Sequence, residues 1–312
     1  MIRDRFGRPV TGLRISVTEK CNLDCFYCHR EGCLESRREM TADEVGKVVE
    51  VSREFGVRKI KLTGGEPLLR DDIVDVVRAV AGAGIGEVSM TTNGVLLSGV
   101  AHELAEAGLD RVNISLDTLD PRTFHKITGN GSVSDVFAGI DAALDAGLSP
   151  VKLNMVLLAG LNDHEVESMI AYTSKRGIVL QIIELLDTDG RVFSTYHRDL
   201  DDIERGLRSQ AAAVRTRCWM QARKKYILQG GEVEVVRPMH NSEFCMHCTR
   251  LRLTADGYLK PCLMRNDNLV DVLSLVKTDD LDEARKAFAE AIARREPYFK
   301  GVAREARISG RV

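Results

Sequence analysis

The chain has 312 residues, 44% hydrophobic and 29% charged, with a formal net charge of -2. This describes one large globular domain, or one plus an appendage, and excludes the strongly basic balance of a nucleic-acid binder. No run of about 18 apolar residues would make a transmembrane helix.

The polar start MIRDRFGRPV has no apolar core of the kind a signal peptide needs. The expected location is the cytoplasm. Eight cysteines there point to metal binding or catalysis rather than disulfides.

Residues 12–18 alternate apolar and other side chains and predict a first strand. Cys21, Cys25 and Cys28 follow directly. Thr41, with Glu44 three residues on, forms a capping box for a helix that puts Val45, Val48, Val49 and Phe55 on one face. Strands are predicted at 59–62, 87–91, 111–116, 151–157 and 179–184, and helices near 71–83, 97–107, 133–146 and 163–175. Glycines such as Gly84, Gly108, Gly147 and Gly177 mark the breaks.

Six strand–helix units in about 210 residues imply a parallel sheet with right-handed crossovers. A complete eight-unit barrel takes about 250 residues, so an open, partial (β/α)6 barrel is expected, with its chemistry at the C-terminal strand ends. The polar clusters lie there: the three cysteines, Gly64-Gly65-Glu66-Pro67, Thr92-Asn93, Ser115 with Asp117, and Glu184. Beyond residue 210 the pattern changes. A hairpin at 223–236 turns at Gly230-Gly231 and a second at 251–260 turns at Asp256-Gly257. Helices follow near 267–275 and 280–295. Residues 1–210 thus read as the barrel, and 211–312 as an α+β extension lying over its open side.

A closed zinc site takes four ligands, whereas a [4Fe–4S] cube held by three cysteines leaves one iron open. Gly64 and Gly65 let a backbone approach a ligand closely, and Glu66 can accept from an ammonium group; a plain turn also explains these residues. Cys245, Cys248 and Cys262 repeat the three-cysteine pattern. With His240 or His247 as a fourth ligand, zinc stays open at this second set. Arg250 and Arg252 fall on one strand face beside it, and a fixed guanidinium pair suits a polyphosphate. Lys59 and Lys61 also share a face, pointing either into the barrel or outward between helices. Cys33 reads as a loop thiol, and Cys218, beside Trp219, as packing.

Cys21-x3-Cys25-x2-Cys28 after the first strand, with GGEP at the end of the second, resembles the cluster motif of the radical S-adenosylmethionine enzymes. In that family the methionine moiety chelates the open iron and an electron releases a 5′-deoxyadenosyl radical, while the protein supplies ligation and orientation. Arg14, the second cysteine set and the stretch CTRLRLTADG extend the resemblance over nearly the whole chain, to the branch that cyclises GTP at the start of molybdenum or tungsten cofactor synthesis. The resemblance implies two [4Fe–4S] clusters, on Cys21, Cys25 and Cys28 and on Cys245, Cys248 and Cys262, with no catalytic side chain beyond them. It places S-adenosylmethionine on Tyr27, Gly65, Ser115 and Leu186, and GTP on Arg14, Lys61, Thr92, Lys152, Arg250, Leu251 and Arg252. It further implies a downstream cyclic pyranopterin monophosphate synthase, an electron donor such as ferredoxin or flavodoxin, and a monomer or homodimer with no membrane or nucleic-acid partner.

Three departures stand out. Lys61 replaces an arginine, which keeps the charge and loses the fork. Gln181 stands where an arginine is expected. The sequence ends Ile308-Ser309-Gly310-Arg311-Val312 without a Gly-Gly terminus, with Arg304, Arg307 and Arg311 as candidate substitutes. Two other readings are a peptide maturase with an auxiliary cluster, whose extension usually carries more cysteines, and a colourless, air-stable zinc-stabilised binding protein.

Overall fold

The computed structural model describes residues 2–32, 38–278 and 280–299. Cys33 and the C-terminal arginines fall outside these residues.

Six parallel strands run in sequence order: β1 (Gly12–Ser16), β2 (Lys59–Thr63), β3 (Glu87–Thr92), β4 (Arg111–Ser115), β5 (Lys152–Leu157) and β6 (Val179–Glu184). The helices between them are α1 (Ala42–Glu54), α2 (Ile73–Gly82), α3 (Ala101–Glu106), α4 (Pro121–Thr128), α5 (Val133–Asp145) and α6 (Val166–Arg176). This is the expected partial barrel. The capping box at Thr41 and Glu44 is present. The sequence reading omitted α4, although it carries a helix-start signature: the Asp120 side chain caps Thr123 N–H and Pro121 occupies the first turn.

Strand alternation sorts the side chains. Leu13, Ile15, Ile60, Leu62, Met90, Val112, Ile114, Leu153, Met155, Leu180 and Ile182 are buried in the core. The intervening positions, among them Arg14, Lys61, Asn113, Lys152 and Gln181, form the other face of the sheet. A fully closed barrel fills that inner face with branched apolar residues; this one lines it with polar and charged groups.

The rest of the chain comprises α7 (Gly190–Tyr196), α8 (Asp201–Gln210), β7 (Ala213–Arg217), β8 (Arg223–Leu228), β9 (Gly231–Val236), α9 (Ser242–Met246), β10 (Arg250–Leu253), β11 (Tyr258–Lys260), β12 (Val270–Asp271), α10 (Leu273–Lys277) and α11 (Leu281–Ala293). Both predicted hairpins form. The helix expected near 267–275 begins only at Leu273, because Val270 pairs with Leu259 as a short strand.

The extension does not simply lie over the barrel. Strand β9 pairs in parallel with β6, and β10 pairs in parallel with β1. The result is one twelve-stranded sheet in the order β12-β11-β10-β1-β2-β3-β4-β5-β6-β9-β8-β7. The β7–β8 turn then meets the loop between α9 and β10: Gln221 N–H donates to His247 O at 3.0 Å, and Thr249 Oγ1 to Trp219 O at 3.2 Å. Cys218 is exposed beside a half-exposed Trp219, which corrects its reading as packing; it lies in that turn. Across the molecule, Phe288 of α11 stacks on Phe55 at 5.4 Å.

Close backbone approach fixes one helix position. A Cβ on Gly139 would sit 2.3 Å from Gly94 O. Gly139→Ala should therefore destabilise the fold by about 1–3 kcal/mol, despite the gain of about 1 kcal/mol in helix propensity. Thermal unfolding with an unchanged or raised Tm would show that α5 can shift at no cost.

Candidate active site

The first cysteine loop is held from several sides. Asp24 N–H donates to Thr128 O at 2.9 Å and Phe26 N–H to Ile127 O at 3.2 Å, so α4 carries the loop. The Tyr27 hydroxyl donates to Asp117 Oδ2, while Asp117 Oδ1 accepts from Val156 N–H at 2.8 Å. Burial pushes the Asp117 carboxyl up to about 6. The Cys21 and Cys28 sulfurs accept from Leu23 and Arg30 N–H at 3.5 and 3.4 Å, bonds that favour thiolates. Partial desolvation, the largest influence, pushes all three thiols up, although Cys21 and Cys28 keep exposed surface, so a cationic centre is what would draw off their protons. Among the described residues no three His, Cys, Asp or Glu side chains converge as a single-ion site requires. A cube, which takes its thiolates at separate irons, does not need that convergence.

GGEP braces this loop. Gly65 N–H donates to Thr18 O at 2.8 Å and Glu66 N–H to Lys20 O at 2.7 Å. A Cβ on Gly65 would lie 2.2 Å from Lys20 O, so close packing against the 18–20 turn requires glycine here. The fully buried Glu66 carboxylate accepts from Leu68 N–H at 3.0 Å, Thr92 Oγ1 at 2.7 Å and Asn93 N–H at 2.6 Å. It therefore spends most of its lone pairs tying β2 to β3.

Cations line the inner face. The register places Arg14 opposite Lys61 and Arg252, and Gly12 opposite Arg250. Arg14 Nη1 donates to Glu31 Oε1 at 3.0 Å, Arg252 Nη1 reaches Glu31 Oε2, and Thr63 Oγ1 donates to Glu31 Oε1 at 3.2 Å. Burial alone would raise the Glu31 carboxyl; Arg14 and Arg252 outweigh it and hold the group well below the carboxylate range. Lys61 Nζ donates to Asn113 Oδ1 at 2.7 Å, and burial followed by Arg111 and Arg14 pulls its ammonium well down. Lys152 Nζ pairs with Glu234 Oε1 at 2.8 Å, which Arg217 Nη1 also reaches at 2.7 Å. Burial pushes Lys152 down to about 8 against the pull of Glu234. Arg250 is drawn well down by burial, then by Arg223 and Arg14. Guanidinium groups stay charged, so burial beside Arg223 and Arg14 makes this a position that an anion would relieve.

The second cysteine loop rests on a buried network that sequence reading missed. Arg295, 1% exposed, donates through Nη2 to Cys248 O at 2.6 Å and pairs through Nη1 with Asp4 at 3.2 Å. Arg8 Nη1 donates to Cys245 O at 2.9 Å while its Nε pairs with Asp4 at 2.8 Å. Burial would raise the Cys248 thiol, but Arg295, Arg250 and Arg8 pull it below its usual value, as a metal-ligating thiolate requires. No local signal reveals this network, since the partners are separated by most of the chain.

The anticipated residues thus divide. Arg14, Lys61, Lys152, Arg250 and Arg252 share the inner face. Lys59 pairs with Glu87 at 2.8 Å and is exposed, so only Lys61 of that pair joins the cluster. Thr92 turns to Glu66, the Leu251 side chain is buried in the core, and Gly65 packs on the 18–20 turn. Ser115 ends β4 and Leu186 follows β6, both partly exposed. Glu184 accepts from Met239 N–H at 3.2 Å and pairs with His197 at 3.1 Å, linking β6 to the extension.

Residues 15–173 match the family model described as Radical SAM superfamily. The chain belongs to that superfamily, which uses a [4Fe–4S] cluster and S-adenosylmethionine. Residues 178–301 match the model described as Molybdenum Cofactor Synthesis C. The chain is 51% identical over 301 residues to the probable GTP 3′,8-cyclase of Methanothermobacter thermautotrophicus, covering 96% of this chain and 99% of the relative. It is 49% identical over 301 residues to that of Methanocaldococcus jannaschii, with the same coverage. Within the superfamily it belongs to the GTP 3′,8-cyclase family. Its fold resembles Streptococcus suis SuiB bound to S-adenosylmethionine, with TM-score 0.66 at 17% identity over 88% of this chain and 65% of SuiB, so it spans under two thirds of that protein. It also resembles anSMEcpe with bound S-adenosylmethionine, with TM-score 0.60 at 17% identity over 90% of this chain and 82% of that one.

Gly65→Ala should displace the 18–20 turn from GGEP, lower the Tm and reduce iron uptake on anaerobic reconstitution. Full iron loading at an unchanged Tm would show that the bracing is dispensable.

Proposed function

We propose that the chain converts GTP to (8S)-3′,8-cyclo-7,8-dihydroguanosine 5′-triphosphate, the first step of molybdenum or tungsten cofactor biosynthesis, in the cytoplasm. One observation carries the reading: a cation-lined inner sheet face, with Arg14, Lys61, Lys152, Arg250 and Arg252, meets the first three-cysteine loop through Glu31 and the second through β10, where Arg250 follows Cys248 by two residues. A pocket of that charge, dry enough to depress a lysine, suits a triphosphate.

Cys21, Cys25 and Cys28 would hold the first [4Fe–4S] cluster, and Cys245, Cys248 and Cys262 a second. When bound, the first cluster with S-adenosylmethionine would supply 5′-deoxyadenosyl radical chemistry for removing the ribose 3′ hydrogen, and the radical left on the base once C3′ bonds to C8 would take a second electron and a proton to give the dihydro product. The protein's part is placement. Tyr27, Gly65, Ser115 and Leu186 line the S-adenosylmethionine side. Tyr27, fixed by Asp117, sets the wall of the loop. Arg14 and Arg252 offer the phosphates a paired fork once Glu31 yields them. Arg250, Leu251, Lys61, Lys152 and Thr92 complete the GTP side, and the contact between the β7–β8 turn and the α9–β10 loop keeps water from the radical. A cyclic pyranopterin monophosphate synthase would consume the product, and a ferredoxin or flavodoxin would supply the two electrons, one for sulfonium cleavage and one for the cyclised radical.

Anaerobic reconstitution with GTP, S-adenosylmethionine and a reductant should give a product that the downstream synthase converts, read by mass. Cys262→Ser should abolish cyclisation yet leave reductive cleavage of S-adenosylmethionine measurable. A colourless, air-stable protein with no product would sink the reading.

Lys152 gives a pH dependence. Its ammonium, pushed down to about 8, is charged below that pH and neutral above it. GTP affinity should therefore fall roughly tenfold between about pH 7 and 9, the loss of one charged contact worth about 1.5 kcal/mol. Lys152→Arg, charged throughout, should flatten the profile; a profile of unchanged shape would assign the step to another group.

A further inference from the structure

Arg223 opens β8 and is about nine-tenths buried. Its Nη2 donates to Gln221 Oε1 at 2.6 Å, but its Nε has no hydrogen-bond partner. Buried donors are nearly always satisfied, so an open one among cations marks a position for an anionic ligand. Neighbouring cations in the hairpin have carboxylates: Arg217, its cross-strand partner, bonds Glu234, and Lys225 pairs with Glu232. Among the described residues Arg223 has no such pair.

Its surroundings are the site itself. The charges acting on it are those of Glu234, Arg14, Arg217 and Cys248, and after burial its own charge does most to disfavour the charged form of Arg250. Arg223 and Arg250 come from strands near opposite ends of the sheet order. They are brought together because the turn at Gln221 bonds to His247. Two guanidinium groups held this way repel unless an anion lies between them. Meanwhile β6 offers no charge at Gln181, whose amide is spent on Glu234 and whose carbonyl accepts from Asn113 at 3.1 Å.

We propose that Arg223 binds the phosphates of the substrate opposite Arg250, so that the β7–β8 hairpin supplies a charge that β6 lacks. The proposal rests on the GTP reading above. It makes the extension a source of phosphate ligands on both sides of the six barrel strands, through β8 and β10.

The test is equilibrium binding to the anaerobically reconstituted holoenzyme, with GTP and guanosine as separate ligands. Arg223→Ala should weaken GTP roughly tenfold or more and guanosine by less than about twofold, and Arg223→Lys should recover part of the loss. Arg223→Met, which keeps the buried stem, is read the same way if the alanine variant does not fold. Unchanged GTP affinity overturns the proposal, and so does equal weakening of GTP and guanosine, which would reveal a packing role. Failure of the wild-type holoenzyme to bind GTP would instead remove the functional reading itself.

Discussion

Positive charge held out of water on the inner face of a sheet is the constraint that organises this protein. Desolvating several guanidinium and ammonium groups together is expensive, and their mutual repulsion adds to the cost. A barrel built only for stability would fill the same positions with branched apolar side chains. Here carboxylates meet only part of the charge. Glu31 stands between Arg14 and Arg252, and Glu234 takes Lys152 and Arg217. Among the described residues Arg223 and Arg250 are left without one. The fold therefore favours a polyanion at this face.

Sheet topology makes that preference feasible. Were the last hundred residues a separate lid, the arginines of β10 would reach the site across a hinge. Instead Arg252 stands in register with Arg14 and Arg250 with Gly12 in a continuous ladder, and the opposite edge ends in Arg217 and Arg223. Backbone hydrogen bonds, rather than side-chain packing alone, set the spacing of the clamp.

The six parallel strands were legible because each has its own alternation and its own glycine-marked exit. The cysteine loops and GGEP were legible because their chemistry is local. What escaped the sequence was long-range. Residues 190–210 form two helices with few buried apolar residues, Leu207 alone within them. Arg8 and Arg295 carry no local signal of burial, yet both are buried. Glu31 gave no sign that it would bridge two strands, since its partners are separated in sequence by as many as 221 positions. Gly65 was assigned to a ligand, whereas its immediate need is contact with the 18–20 turn.

The network of Asp4, Arg8 and Arg295 also imposes an order of manufacture. The first cysteine loop draws its main supports from residues up to Val156, all made in the first half of translation. The carbonyls of Cys245 and Cys248 gain their full set of guanidinium partners only when Arg295 folds back onto Asp4 beside Arg8. Domains are built from the N-terminal side as they emerge. A growing polypeptide can therefore brace its first cysteine loop while the second still waits for Arg295.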